Sequence, residues 1–195
     1  MMKLAAVLAV LIALGAAPLR AQDEQAKPQD EPSKFEAYGG YDYLRFNSHS
    51  NVEGQPPSQS YSLSAIDVQL EYNFSRRFGL VGDVAGYRVT SPGSGDALSY
   101  LFGPRYTMRR GRFTPFAHAL FGGFLTSSGI QTTGTQTHFA LAAGAGIDIR
   151  VTPHIFIRPL QAEYLMTTIP DGLSNRQNNF RFGFGVSYHF NRFRF

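Results

Sequence analysis

From Phe35 onward, side chains alternate between apolar and polar or small residue by residue, and this period of two constrains the fold more than any other feature. Successive side chains of a β-strand point to opposite faces, whereas an amphipathic helix repeats every 3.6 residues. Residues 180–190 show the pattern most plainly. Phe180, Phe182, Phe184, Val186, Tyr188 and Phe190 share one parity, while Arg181, Gly183, Gly185, Ser187 and His189 share the other. In residues 62–74, Ser64, Ile66, Val68, Leu70, Tyr72 and Phe74 alternate with Ala65, Asp67, Gln69, Glu71 and Asn73. Residues 139–150 repeat it, with Phe139, Leu141, Ile147 and Ile149 opposing Ala140, Ala142, Gly144, Gly146, Asp148 and Arg150. The chain is therefore expected to be all-β.

Eight such segments are expected, at about 35–46, 62–74, 78–89, 98–109, 113–124, 137–150, 155–166 and 178–190. Pro115 and Pro159 each remove a ladder donor and belong at a strand end, a bulge or a turn. In the seventh segment Arg158 differs in parity from Gln161 and Glu163, and a bulge near Pro159 would reconcile them. The connections Ser75-Arg76-Arg77, Arg110-Gly111-Arg112 and Thr152-Pro153-His154 are tight. Those after the odd-numbered segments are longer and rich in Ser, Thr, Gly, Asn and Pro; the first spans residues 47–61. Short turns at one end and long polar loops at the other are expected of an outer-membrane barrel, with the short turns periplasmic.

The N-terminus places such a barrel outside the cytoplasm. Lys3 precedes an apolar run from Leu4 to Ala16, and small residues follow at Ala16, Ala17 and Ala21. This is the layout of a cleaved secretory signal, expected over residues 1–21, and the run is shorter than the ~20 apolar residues of a spanning helix. Residues 22–33, Q-D-E-Q-A-K-P-Q-D-E-P-S, are too polar to order themselves and are expected to form a flexible periplasmic tail. The barrel is expected over residues 34–195. There is no Cys, which excludes disulfides and thiolate sites. Without Lys3 and Arg20 the basic count falls from 18 to 16 against 14 acids, or +2, which is too small a balance to imply nucleic acid.

Alternation alone leaves the sidedness open. A membrane barrel turns its apolar parity outward to lipid and keeps the Asp, Glu, Arg, Gly and Ser parity inside, whereas a soluble barrel reverses this. The signal sequence and the Phe/Tyr/Val stripe at 180–190 favour lipid, because a soluble protein rarely exposes such a surface. Tyr38, Tyr41, Tyr43, Tyr100, Tyr106, Tyr164 and Tyr188 are expected near strand ends or on outward faces, as interfacial aromatics.

The last strand, F-R-F-G-F-G-V-S-Y-H-F, resembles the C-terminal signal of outer-membrane barrels, in which alternating aromatics end in Phe. The resemblance implies that Val186, Tyr188 and Phe190 are read by the barrel insertion machinery. The chain continues to Phe195, so either Phe195 completes the signal after a slip or Phe190 is read internally. G-G-Y-D-Y-L, F-G-P-R-Y and P-F-A-H-A-L-F-G-G are similar to small porin-like, OmpA-type barrels over about residues 35–190. That resemblance implies an eight-stranded antiparallel up-and-down transmembrane barrel; with no second domain expected after it, the peptidoglycan-binding module of some relatives is expected to be absent.

An eight-stranded barrel is just wide enough for its side chains to fill it, so interior charges should pair. Asp83 with Arg105, and Glu163 with Arg181, are the expected structural pairs. No catalytic, cofactor-binding or metal site is expected: the five histidines include no H-x-H or H-E-x-x-H spacing. Ser187 and His189 share a face and in the abstract could serve a nucleophile. They point into the lumen rather than toward lipid, which favours interior hydrogen bonding. Gly144, Gly146, Gly183 and Gly185 read as packing positions. The expected function is a non-enzymatic barrel, structural or presenting loops to surface partners in a setting of outer-membrane lipid. A narrow channel and a lipid-modifying enzyme are the alternatives.

Overall fold

A computed structural model describes residues 33–49, 58–91, 96–126, 136–169 and 176–190. The leader expected at 1–21, the tail at 22–33 save Ser33, and Phe195 lie outside these residues. Eight strands follow one another: β1 (Phe35–His49), β2 (Ser58–Asn73), β3 (Phe78–Ser91), β4 (Asp96–Thr107), β5 (Phe113–Thr126), β6 (Gln136–Arg150), β7 (Ile155–Thr167) and β8 (Gln177–His189). Each pairs antiparallel with its chain neighbour, and β8 returns to β1, which closes the barrel. Closure leaves no unpaired sheet edge.

The strands run 12 to 16 residues, longer than the ~9–11 that a tilted strand needs to cross a bilayer. The first hairpin is longer than the sequence suggests. His49 pairs with Ser58, so β1 and β2 extend into residues 47–61 and leave only 50–57 as the connection. Backbone pairing continues there although the apolar alternation has ended, because ladder hydrogen bonds do not require an apolar face.

Local chemistry explains the three short turns. Ser75 Oγ accepts from the amides of Arg77 and Phe78 at 3.3 and 2.9 Å, and Thr152 Oγ1 does the same for His154 and Ile155 at 3.3 and 2.9 Å. These side chains occupy backbone donors that would otherwise extend the strand. Arg110 and Phe113 exchange backbone hydrogen bonds across a two-residue loop, and Gly111 takes φ 59°, the positive value such a loop needs at its first position.

The parity separates as chemistry requires. Phe74, Leu70, Phe102, Phe184 and Phe113 are each more than half exposed on the outer wall, while Asp42, Asp67, Asp83 and Arg181 are at most 1% exposed within. In β7 the register shifts between Arg158 and Gln161 on the β8 side and between Ile157 and Leu160 on the β6 side. This bulge beside Pro159 turns Arg158, Gln161 and Glu163 all inward. Tyr38 departs from its expected outward place. It shares parity with Glu36 and Asp42 and stands inside at 4% exposure. The other six tyrosines of that set face outward or sit half-buried on the outer wall.

The lumen has two layers. Toward the long connections it is filled mostly by aliphatic and aromatic side chains, among them Leu44, Leu63, Leu120, Phe124 and Leu165. Tyr87 of β3 and Phe124 of β5 meet across it with ring centroids 5.5 Å apart. Toward the short turns the filling is ionic.

Candidate functional site

The ionic layer draws its carboxylates from β1, β2, β3, β6 and β7, and its guanidiniums from β4, β7 and β8. Glu36, Asp42, Asp67, Glu71, Asp83, Asp148 and Glu163 are buried, against the buried Arg105, Arg158 and Arg181. Parity puts each of them inside; the register and the closure of the barrel decide which ones meet.

Arg181 is the hub of the upper half. Its Nη2 lies 2.7 Å from Asp83 Oδ2 and its Nη1 donates to Tyr87 OH at 3.0 Å. Its Nε contacts Glu163 Oε2 and lies 3.5 Å from Asp42 Oδ2. Glu163 also meets His118 Nε2 at 2.6 Å and accepts from Gln161 Nε2 at 2.6 Å. Arg158 organises the lower half. It forks onto Asp148 at 2.7 and 3.1 Å, and its Nη1 donates to Gln161 at 2.6 Å and across the barrel to Gln69 at 2.8 Å. A planar guanidinium suits this work, since its donors are fixed in a fork that matches a carboxylate. The carbon of the Arg158 guanidinium lies 4.0 Å from the ring centre of Tyr38 and 4.4 Å from that of Phe116, so its faces are covered as well. Arg105 pairs with Glu71 at 2.7 Å and with Asp148 at 3.2 Å, stacked on Phe116.

Of the pairs expected from sequence, Glu163 and Arg181 stand directly opposite in the β7–β8 register and their side chains touch. Asp83 and Arg105 are not brought together, which corrects that pairing. Asp83 stands opposite Leu101, and Arg105 stands opposite Gly79, four positions along β3. The β3–β4 register thus runs four residues away from the one that pairing needed. Asp83 instead reaches Arg181 through the lumen, and Arg105 reaches Glu71 and Asp148. Val186, Tyr188 and Phe190 stand outward along one stripe.

The inward glycines are seats for large neighbours. A Cβ on Gly183 would stand 2.1 Å from Asp42 Oδ1, one on Gly40 would stand 2.0 Å from Tyr38 OH, and one on Gly144 would stand 2.4 Å from Glu163 Cγ. For Gly146 the neighbour is the Phe116 ring, at 2.5 Å. Ser187 Oγ has no hydrogen-bond partner among the described residues, so the serine–histidine contact of a hydrolase is not formed. His189 lies flat on Phe156, centroids 3.7 Å apart, with Nε2 3.4 Å from Glu36. Among the described residues, no group of three or more His, Asp or Glu side chains has the geometry to hold a metal ion.

The apolar upper layer is what sequence reasoning missed. Leu44 shares parity with Asp42, Leu63 with Asp67, Leu101 with Arg105, and Leu165 with Glu163, so parity alone marked them as inward. Sorting the inside by polarity hid them.

The family model for the outer membrane protein β-barrel domain matches residues 6–190. A search of curated proteins finds no match. Among solved structures, the chain is similar to the neisserial surface protein NspA at 16% identity and a TM-score of 0.57, covering 79% of this chain and 97% of that one. It is similar to Ail, the attachment invasion locus protein of Yersinia pestis, at 18% identity and a TM-score of 0.52, covering 82% of this chain and 100% of that one. OprG from Pseudomonas aeruginosa matches at 16% identity and a TM-score of 0.53, over 83% and 98% of the two chains. At such identities the likeness carries the fold alone, and any role must be read from this chain's own residues.

Proposed function

Since this chain belongs to the outer membrane protein β-barrel domain family, we propose that it is a plugged, non-enzymatic anchor that holds its long connections out from the membrane. The protein sits in the outer membrane as a small barrel, with its apolar wall against lipid. The filled lumen carries the rest of the reading. Leu44, Leu120, Phe124 and Leu165, each at most 1% exposed, occupy the end where a solute would enter, and the Arg158 and Arg181 networks occupy the span below. A conducting pore needs a continuous wet path, and an eight-stranded barrel is narrow enough for side chains alone to deny one.

The non-enzymatic part rests on access. Ser187 and His189 lie within the wall, at 2% and 7% exposure, while an acyl chain would approach from outside it. The stripe of Val186, Tyr188 and Phe190 is in turn proposed as the segment offered to the insertion machinery, which must read a strand before it is paired.

Conductance of the purified barrel in planar bilayers tests the anchor reading. The wild type is expected to leave the bilayer silent, while the triple variant L120A/F124A/L165A, which empties the upper layer, is expected to admit small ions or remain silent with a looser fold. Steady cation-selective current from the wild type would overturn the plugged reading and favour a channel lined by the excess lumen carboxylates.

A further inference from the structure

The charges at the two ends of the barrel are unlike. Two of the three short turns are basic, with Arg76 and Arg77 between β2 and β3 and Arg110 and Arg112 between β4 and β5, and Arg150 ends β6 beside the third. Among the described residues no exposed carboxylate stands at this end. Glu36, Glu71 and Asp148, the acids nearest to it, are turned into the lumen and committed to Arg109, Arg105 and Arg158. Arg76, Arg77, Arg110 and Arg112 are exposed, and none of the ion pairs among the described residues includes them.

These arginines also lie at a fixed depth. Arg76 and Arg77 are bracketed by Phe74 and Phe78, Arg110 and Arg112 by Met108 and Phe113, and Arg150 by Ile149 and Val151. Phe74, Phe78, Met108, Phe113 and Val151 are exposed on the outer wall. Each guanidinium is thus within a residue or two of the last side chain that faces hydrocarbon, which is headgroup depth. Arg109 Nη1 donates to the carbonyl of Arg76 at 2.6 Å, and its Nη2 pairs with Glu36 at 3.1 Å. This ties the first two turns together and presents the four exposed arginines on one arc.

We propose that this arc binds the phosphodiester headgroups of anionic phospholipid, of the phosphatidylglycerol type, in the leaflet at the short-turn end. Guanidinium forks match phosphate oxygens in pairs, and clusters of four or more basic residues beside a membrane span attract anionic lipid. The two basic turns, with Arg150 beside the third, stand along the rim that the surrounding leaflet meets, which favours lipid over a protein partner. The site needs no apolar groove, since the lipid tails lie along the wall already formed by Phe74, Phe78 and Phe113.

The test uses the full mature chain folded in zwitterionic micelles and followed by backbone amide NMR. Short-chain phosphatidylglycerol is expected to shift the amides of residues 75–78 and 109–113 saturably, at least about fivefold more tightly than phosphatidylcholine of the same length. The preference is expected to weaken as salt shortens the Debye length to a few ångströms. In the exposed-turn variant R76Q/R77Q/R110Q/R112Q, with unchanged heat-modifiable mobility as the check on folding, it is expected to vanish. Equal response to both lipids, or a preference that the quadruple variant keeps, overturns the proposal. So does saturation by inorganic phosphate at the same concentration, which would make the ligand a free anion. A preference that emerges only when Asp23, Glu24, Asp30 and Glu31 are neutralised would also overturn it, assigning the arc to the chain's own acidic segment.

Discussion

Replacing Arg181 by methionine isolates what the ionic layer contributes. Methionine keeps most of the volume of the arginine stem, so the loss is electrostatic rather than a cavity. The variant strands Asp83 and Asp42, whose only guanidinium contacts among the described residues are with Arg181 at 2.7 and 3.5 Å, and leaves Glu163 with His118 and Gln161. Removing one partner of a buried pair costs about 3–5 kcal/mol, because the remaining charge stays desolvated. With a urea slope of roughly 2 kcal/mol per molar, the unfolding midpoint of the barrel in lipid vesicles should fall by about 2 M. D83N removes one stranded charge, so D83N/R181M should be less unstable than the sum of its single variants, with a coupling of about 1–3 kcal/mol. The same cycle on Asp83 and Arg105 should give no more than about 0.5 kcal/mol, since the two groups share no partner. An R181M cost below about 1 kcal/mol, or equal coupling of Asp83 to Arg105 and to Arg181, would refute the cross-lumen network.

Four further outcomes are expected. G183A, whose Cβ would stand 2.1 Å from Asp42 Oδ1, should lose about 1–3 kcal/mol in the same unfolding assay, while G82A, whose Cβ meets nothing within 4 Å, should be neutral. Val84, near the middle of β3 and 48% exposed, should cost about 2–4 kcal/mol when changed to Arg, because the side chain would face bilayer hydrocarbon; a neutral V84R would contradict that wall assignment. S187A removes a hydroxyl that has no hydrogen-bond partner among the described residues, so mass spectra of the outer-membrane lipids and the unfolding midpoint should both match wild type. F190S should lower the amount of heat-modifiable barrel in the outer-membrane fraction without changing the stability of refolded protein; unchanged assembly would remove Phe190 from the insertion signal.

Sequence alone determined strand identity, strand number, the tight turns and, outside the β7 bulge, the parity that faces inward. The reason is that these depend on neighbours a residue or two away: a period of two fixes parity, and Ser75, Gly111 and Thr152 set turns within their own few residues. Polarity was a poorer guide to the interior than parity, which already placed Leu44, Leu63 and Leu165 beside Asp42, Asp67 and Glu163. Tyr38 was misplaced for the same reason, its ring suggesting an interface while its parity pointed to the lumen. Glu163 and Arg181 could be matched because they sit on strands joined in sequence. The contacts of Asp83 with Arg181, 98 residues apart, and of Arg158 with Gln69, 89 apart, were beyond reach. They exist only because β8 closes onto β1, and a lumen this narrow lets side chains from non-adjacent strands meet. Register along each strand pair and the closing stagger are properties of the whole sheet, and a four-residue difference in β3–β4 redirects both charges while leaving every parity unchanged.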